Sequence, residues 1–231
     1  MEHKPLQFYV DKLKNNEPFS LVRFGDGELY CLWGRQGHNS NGCNYTPELR
    51  ADLQKVIQNP KEGVIYGLQR VLPGDQRKAE LYGIDWYDSE IFGDELVAGR
   101  LFPLIEQLQN RFTVIVGNES LAPLQKGGFT ALPVFGGRAY GFIEVEKSNS
   151  HIEKERVYRD IQTIKNKYGD GIVFIFCCGM AGTVFPYELH DGNNWYLDLG
   201  HIFDPFVGNM SRCNLEGLTK EDIERNLYAR N

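Results

Sequence analysis

Short apolar runs alternate with amphipathic segments along most of the chain. Runs of buried-strand length and β-prone composition lie at 19–24, 63–68, 112–116, 172–177 and 195–199. Apolar residues recur at helical spacing in the segments 6–15, 29–33, 46–57, 75–82, 94–109, 153–167, 181–189 and 218–228. The glycine-rich segment 127–141 predicts a weak strand at 129–135 followed by a loop.

This alternation predicts an α/β fold. Strands separated by helices of this length favour a Rossmann-like, mainly parallel sheet with helices on both faces. No internal repeat or linker interrupts the pattern. We therefore expect a single domain over 1–231, with its core at about 19–206 and a C-terminal loop and helix at 207–231.

Composition excludes some classes of protein. Hydrophobic residues make up 42% and charged residues 24% of the chain, as in ordinary globular domains. The formal net charge of −6 argues against broad attraction to nucleic acid, although a local basic groove can coexist with it. The N-terminal residues do not resemble a signal peptide, and no run approaches the roughly 18 apolar residues of a membrane span. We expect a cytoplasmic protein, in the host cytoplasm if it is viral, with no membrane partner.

The cysteines do not point to a metal or disulfide framework. There are five, and no two form a Cys-x-x-Cys pair. Cys177 and Cys178 end an apolar run, so we expect them to be small buried residues in a reducing compartment.

Glycine and polar residues follow four of the predicted strands, at 25–28, 117–120, 178–181 and 198–201. Ligands of parallel sheets bind beyond such strand ends, where glycine lets the backbone approach them. In the first segment, Asp26 and Glu28 flank Gly27 in a predicted turn, which allows both carboxylates to face one point. Hard oxygen ligands suit Mg²⁺ or Mn²⁺ bridging phosphate oxygens. A solvated acidic turn is the alternative interpretation.

Two basic residues near these ends have both a functional and a structural interpretation. Arg23 could clamp a phosphate, or form an ion pair with Asp26. His201 could be a metal ligand, a general base or a phosphate contact, or a histidine packed at a strand end. Asp198, on the strand before His201, is expected to face inward and be structural.

Other polar and aromatic residues are open to two interpretations as well. Asn118, Glu119 and Ser120 could hold ribose or phosphate, or cap a helix, and Gly179 carries a similar ambiguity. Arg212, in a loop at 204–212, could meet a diphosphate or lie on the surface. The aromatic residues that could stack on a base or sugar, but that we expect in the core, are Trp33, Tyr187 and Trp195.

Rival nucleotide-binding motifs fail. Tyr30 stands where the dinucleotide fingerprint needs its third glycine and where an EF-hand loop needs its third ligand. The sequence contains no P-loop, no Gly-x-Ser-x-Gly elbow and no His-Glu-x-x-His pair. These failures leave the acidic segment as the candidate nucleotide site.

The segment 19–29 resembles the glycosyltransferases of the GT-D fold, a family formerly defined as a domain of unknown function. Residues 23–28 are the most specific part, 44–49, 172–179 and 197–201 support it, and the resemblance spans about 19–206. It implies a Rossmann-like domain whose Asp-x-Glu motif, Asp26 and Glu28 here, holds a metal and a UDP-sugar. By position in the fold it also implies roles for His201 and Arg212.

We therefore expect a metal-dependent glycosyltransferase that moves a sugar from a UDP-sugar to an acceptor hydroxyl with Mn²⁺ or Mg²⁺. Asp26, Glu28 and His201 are the catalytic and metal-binding candidates. The candidates for binding the donor are Arg23, Gly25, Gly27, Asn118, Glu119, Ser120, Gly179 and Arg212. The acceptor is a glycan or a 5-hydroxymethylpyrimidine in phage DNA, since small members of similar appearance occur in bacteriophages. A non-catalytic nucleotide-binding module, a metal-dependent phosphoester hydrolase and a homodimer stay open.

Overall fold

The structure, a computed structural model, describes residues 1–39, 42–70, 82–126, 134–135, 140–210 and 215–229. Its strands, β1 to β7 in chain order, are Ser20–Phe24, Val64–Leu68, Trp86–Asp88, Thr113–Gly117, Tyr140–Glu144, Val173–Cys177 and Trp195–Asp198. The α-helices, α1 to α8, are Leu6–Lys14, Asp26–Leu32, Pro47–Gln58, Ile91–Val97, Phe102–Gln109, Lys154–Tyr168, Ala181–Leu189 and Lys220–Glu224. Short 3₁₀ helices lie at Glu119–Lys126, Ser150–Glu153, Asp204–Val207 and Arg225–Leu227. None of the described helices is long and apolar enough to span a bilayer.

The strands form a single seven-stranded sheet in the order β3-β2-β1-β7-β6-β4-β5. Every neighbouring pair is parallel, which confirms the predicted Rossmann-like architecture. Strands β1 and β2 pair over five residues each, whereas β1 and β7 pair only at Ser20 with Tyr196 and at Leu21 with Leu197. The two halves of the sheet are therefore joined at its middle by a short ladder.

Apolar layers cover both faces of the sheet. Successive strand residues point to opposite faces, so Leu21 packs into one layer and Val22 into the other. The first layer contains the buried residues of α1, α4, α5 and α8, and the second contains those of α2, α3, α6 and α7. Ile223 and Leu227 are buried in the first layer, so the C-terminal segment packs into the same core as the sheet.

The helix and strand predictions differ from the structure in one helix and at the edges of the sheet. The predicted helix 94–109 is two helices, because Gly99 has φ +66° and Pro103 lies in the first turn of α5. The edge strands β3 and β5 were not predicted; β3 has three residues, and β5 is partly exposed, so neither shows a long apolar run. Residues 75–81 and 129–133 of two predicted elements lie outside the described residues, and Val134 and Phe135 are buried but not in a strand.

Local signals account for well-predicted elements. The Thr46 hydroxyl caps α3 by accepting a hydrogen bond from the Leu49 amide at 3.1 Å, and Pro47 occupies the first turn. Helix α7 has the predicted bounds, and Cys177 and Cys178 are buried as predicted. The last helix is shorter than predicted, since α8 gives way to the 3₁₀ helix Arg225–Leu227.

Asp191 anchors the segment that leads into β7. Its carboxylate accepts hydrogen bonds from the Lys165 ammonium at 2.7 Å and the Tyr196 hydroxyl at 2.8 Å, and from the amides of Asn193 and Asn194 at 2.9 and 3.1 Å. Burial favours a raised pKa for Asp191, but these donors outweigh it and hold the pKa well below its usual range. The ionised carboxylate therefore stabilises the fold.

We expect Asp191→Asn to lower the free energy of unfolding by about 2–3 kcal/mol at pH 7, because charge-assisted hydrogen bonds are lost. Since the folded pKa lies below the unfolded value, the carboxylate's contribution is complete above about pH 4 and is lost as the pH falls further. Urea unfolding should be measured from pH 7 to pH 3. The difference in unfolding free energy between the wild-type protein and Asp191→Asn should become smaller as the pH falls. Asp170→Asn, at an exposed carboxylate, is the control, and an equal loss there would contradict the assignment.

Candidate functional site

The sheet brings the four glycine-rich strand ends to one edge. Because β1, β7, β6 and β4 are consecutive neighbours, the segments 25–28, 198–201, 178–181 and 117–120 follow one another along the carboxyl edge. The chain runs from β1 to β2 on one side of this stretch and from β4 to β5 on the other. Such a change of direction opens the crevice in which parallel sheets bind ligands.

Arg23 spans the middle of this edge and pairs with Asp198. The guanidinium Nη2 lies 3.1 Å from Asp198 Oδ1, which also accepts a hydrogen bond from the Gly200 amide at 3.0 Å. Asp198 is only 4% exposed, as predicted for an inward-facing residue. Burial raises the pKa of Asp198, and the Arg23 charge opposes that shift. The predicted ion pair of Arg23 therefore exists, but with Asp198 as its partner.

The surroundings of Arg23 are built to fit its side chain. A Cβ on Gly200 would lie 1.9 Å from Arg23 Nη2, and a Cβ on Gly67 would lie 3.3 Å from Arg23 Cγ. The Thr183 hydroxyl of α7 donates to the Arg23 carbonyl at 2.6 Å, beyond the point where the β1–β7 ladder ends. Among the described residues, buried Arg23 Nε has no hydrogen-bond partner. These contacts thus hold Arg23 in one conformation. They leave its buried Nε–H without a hydrogen-bond partner among the described residues.

Asp26 and Glu28 lie in the first turn of α2, and not in a turn before it. Residues two apart on a helix do not face each other directly, and the expectation that both carboxylates face one point stays a prediction. Asp26 is exposed, and its Oδ1 accepts from the Gly27 amide at 2.9 Å. Glu28 is partly buried and folds back to accept from the Gly25 amide at 2.8 Å. Both carboxylates cap the start of α2.

Glu28 sits in an environment that disfavours its charge. Burial, reinforced by the nearby Asp198 carboxylate, raises the pKa of Glu28 to about 7. The Gly25 amide and the Arg23 charge partly oppose this shift. A carboxyl group with a perturbed pKa at a sheet edge is a frequent property of functional sites.

Glycines around these acids have packing roles. A Cβ on Gly27 would lie 3.2 Å from Asn39 Cβ and 3.7 Å from Met180 Sδ, and Gly27 is buried. A Cβ on Gly25 would lie 2.7 Å from the amide oxygen of Gln69. Gly179 has φ +60°, which favours glycine at the turn between β6 and α7. Whether these glycines also contact a ligand stays a prediction.

His201 follows β7 and is paired with a carboxylate. Its Nδ1 lies 3.0 Å from Asp204 Oδ2, and Asp204 is buried. Within the described ranges, no group of three or more histidine, cysteine, aspartate or glutamate residues could hold a metal ion. Asp26, Glu28 and His201 are therefore not preassembled as a three-ligand site, and their metal binding stays a prediction. Arg212 lies outside the described residues.

Asn118 and Ser120 contact each other at the end of β4. Asn118 Oδ1 accepts from the Ser120 amide at 3.0 Å and from its hydroxyl at 2.5 Å, so Asn118 caps the start of the 3₁₀ helix as one of the two interpretations predicted. Glu119 and Ser120 are exposed on the carboxyl edge. This position is compatible with the predicted donor contacts, which stay predictions.

The aromatic candidates separate into core and surface residues. Tyr187 and Trp195 are buried as expected; their polar atoms donate to the carbonyls of Asn59 and Glu17. We expected Trp33 in the core, but it is only partly buried.

Sequence reasoning did not assign a site role to Asp204 or Tyr45. Burial raises the pKa of Tyr45, and the charges of the Asp26 and Glu28 carboxylates add to that shift. Tyr45 belongs to the segment 44–49 that supports the family resemblance, and this was the one available signal. The pairing of Asp204 with His201 becomes visible only with the fold.

The sheet described above defines an α/β protein of Rossmann-like type, in which the carboxyl ends of β1 and β7 are neighbours. No protein-family model matches the chain, and no curated protein matches it. Solved structures do match. One is a selenomethionine-substituted structure of domain of unknown function 1792, with a TM-score of 0.66 and 18% identity over 94% of this chain and 89% of that chain.

Two further structures carry a functional description. One is described as a new glycosyltransferase of this domain type from Streptococcus sanguinis, with a TM-score of 0.63 and 18% identity over 100% of this chain and 95% of that one. The other is described as the same domain with a distinct glycosyltransferase fold, with a TM-score of 0.65 and 16% identity over 100% and 91% of the two chains. These matches confirm that the chain has the fold that its resemblance to the GT-D glycosyltransferases predicted.

We expect Gly200→Ala to destabilise the protein by displacing Arg23. The new Cβ would overlap Arg23 Nη2, and φ at this position is +56°, so the loss should exceed about 3 kcal/mol. Gly192→Ala is a matched control, since Gly192 has φ +75° but open space around it, and it should cost only about 1–2 kcal/mol. Urea unfolding measures both. Equal losses of unfolding free energy in the two variants would show that the position of Arg23 does not depend on the absence of a side chain at Gly200.

Proposed function

We propose that the chain is a metal-dependent glycosyltransferase that moves a sugar from a UDP-sugar to a hydroxyl of a glycan or of hydroxymethylated DNA. The observation that carries the proposal is the position of Asp26 and Glu28. They lie at the carboxyl edge that also carries the Arg23–Asp198 pair, in a parallel sheet whose fold is shared with structures described as glycosyltransferases. This is where a parallel sheet binds a nucleotide.

The residues present fit a hard divalent cation such as Mn²⁺ or Mg²⁺. Such ions are held in many nucleotide sites by one or two carboxylates, and phosphate and water supply the remaining ligands. Asp26 is exposed and retains ligating capacity, since the Gly27 amide occupies only one of its oxygens. When bound there, the ion would neutralise charge on the departing nucleoside diphosphate.

Arg23 is proposed to contact the donor diphosphate. Asp198 neutralises its charge and fixes its plane, so that the guanidinium is oriented before the ligand arrives. In the transfer, the acceptor oxygen would bond to the anomeric carbon, the bond from that carbon to the diphosphate would break, and the acceptor proton would pass to a base. His201, whose Nδ1 lies 3.0 Å from Asp204 Oδ2, is a candidate for that base.

We expect Asp26→Asn combined with Glu28→Gln to abolish metal-dependent donor binding and transfer, because both carboxylates are removed at little change in volume. The measurement is thermal shift and isothermal titration with UDP-sugars and Mn²⁺, followed by transfer assays on hydroxymethylated DNA and simple glycans. Glu48→Gln is the matched control, since Glu48 is an exposed carboxylate in the first turn of α3. The control should keep the metal-dependent stabilisation that a ligand of the native state produces.

The same assays separate the other candidate functions. Turnover of nucleotides without any sugar would indicate a phosphoester hydrolase. A chain that shows no thermal shift with any UDP-sugar and Mn²⁺ would instead be a module that does not use this donor. Full activity in the double variant would remove the two acids from the mechanism.

We expect Arg23→Gln to weaken donor binding by about 10- to 100-fold, or roughly 1.5–3 kcal/mol, because a charge-assisted contact to phosphate is lost. The same change leaves Asp198 buried without its partner, which should also lower the unfolding free energy by about 3–5 kcal/mol. Arg23→Gln with Asp198→Asn should recover part of that stability but not the donor affinity. Recovery of both in the double variant would show that Arg23 serves the fold alone.

A further inference from the structure

The outer face of α2 carries a stripe of half-buried rings that begins at Asp26. Asp26, Tyr30 and Trp33 are spaced by four and three residues, so they lie on one side of the helix. Their burial agrees, since Asp26 is exposed and both aromatic residues are partly exposed, whereas Gly27, Leu29, Cys31 and Leu32 are buried. The ring centroids of Tyr30 and Trp33 are 6.3 Å apart. At 1.5 Å per residue, the stripe extends roughly 10 Å from the acidic site.

Two arginines cover the far end of this stripe. The Arg35 guanidinium carbon lies 3.7 Å from the centroid of the Tyr30 ring, in a cation–π contact. The Arg50 guanidinium lies over Gly34, and its Nε donates to the Leu32 carbonyl at 3.2 Å. Both arginines are exposed. In the part of the chain that the structure describes, neither forms an ion pair with a carboxylate.

The positive charge of Arg35 and Arg50 contrasts with the acidic character of the whole chain. The formal net charge is −6, and other arginines are neutralised by nearby carboxylates, as in the pairs of Arg23, Arg70, Arg100, Arg156 and Arg225. A small cationic patch on such a protein fits a short anionic segment, because a long polyanion would meet repulsion elsewhere. The stripe therefore complements a ligand with one or two phosphates.

The stacking of Arg35 on Tyr30 favours a nucleotide over a plain sugar as the ring-bearing ligand. A guanidinium that covers an aromatic face offers the ligand a flat cation, which stacks well on a nucleobase. A neutral sugar packs its C–H groups against an open aromatic ring and gains little from that cation. Rings and cations alternating along one surface are the arrangement that binds single-stranded nucleic acid.

We propose that the stripe of Tyr30, Trp33, Arg35 and Arg50 is an acceptor subsite for a short segment of single-stranded or unstacked nucleic acid. The inference rests on the proposed function, which makes the acidic start of α2 the place of sugar transfer. Bases stack on the Tyr30–Arg35 pair and on Trp33, and Arg35 and Arg50 contact the phosphates on either side. The segment then passes the Asp26 end, where a hydroxyl-bearing nucleotide meets the donor.

The test is fluorescence anisotropy of a labelled 12-nucleotide oligothymidylate with the full chain, without metal or nucleotide, at several salt concentrations. Because two phosphates are contacted, log affinity should fall against log salt with a slope of about −1.4. Arg35→Gln should make this slope less steep, at about −0.7, and should weaken binding several-fold. Tyr30→Ala should weaken binding roughly tenfold or more. Arg159→Gln, at an exposed arginine on α6, is the matched control and should change neither quantity.

Three results would overturn the proposal. The first is no binding of the oligonucleotide by the wild-type protein. The second is an equal loss of binding in Arg35→Gln and Arg159→Gln, which would indicate unspecific attraction. The third is competition by inorganic polyphosphate as strong as that by oligonucleotide of equal charge, which would show that bases do not stack. Unchanged melting temperatures confirm that Tyr30→Ala and Arg35→Gln are folded. Because strand binding is measured without donor or metal, its failure is distinguishable from failure of the proposed transfer reaction.

Discussion

Arg23 and Asp198 join the two halves of the sheet at the point where backbone pairing between β1 and β7 has ended. The ladder between these strands stops at Leu21 and Leu197, and α7 enters beyond it, with Thr183 bonded to the Arg23 carbonyl. Gly182 lets α7 approach Asp198 closely, since a Cβ there would lie 3.2 Å from Oδ1. A buried ion pair adds little net stability over apolar residues of the same volume, but losing one partner is costly. The junction thus supplies fixed charges where other parallel sheets continue their hydrogen bonds.

Much of the fold could be predicted because buried parallel strands and capped helices leave local signals. β4 and β6 are apolar on both faces and are therefore continuous apolar runs in sequence. Helix α3 is marked by Thr46 at its N-cap and by Pro47 in its first turn. The edge strands β3 and β5 lack such a signal, because an edge strand needs fewer apolar residues. The break between α4 and α5 was missed because apolar residues continue at helical spacing through it, and Gly99 alone marks the turn.

The sheet edge that carries the candidate site could be predicted, but the contacts of its residues could not. Four strand ends were identified from glycine and polar residues, and the sheet order makes them neighbours. The partner of Arg23 lies 175 residues away along the chain, so no local pattern could distinguish Asp198 from Asp26. Asp26 lies inside the first turn of α2, where a Cβ on the next residue, Gly27, would come within 3.2 Å of Asn39 Cβ. Such a contact across the fold leaves no local pattern in the sequence. Asp204, by contrast, pairs with His201 only three residues earlier, through a local turn that has no apolar pattern to reveal it.

The start of α2 has an electrostatic consequence for what can approach it. In phosphate-binding loops, free amides at a helix start attract the anion. Here the amides of Gly25 and Gly27 are occupied by the protein's own carboxylates, Glu28 and Asp26. A bare phosphate therefore meets negative charge where other nucleotide folds offer positive charge. Such a helix start disfavours a free anion. Under the proposed function, a diphosphate would approach it together with a cation.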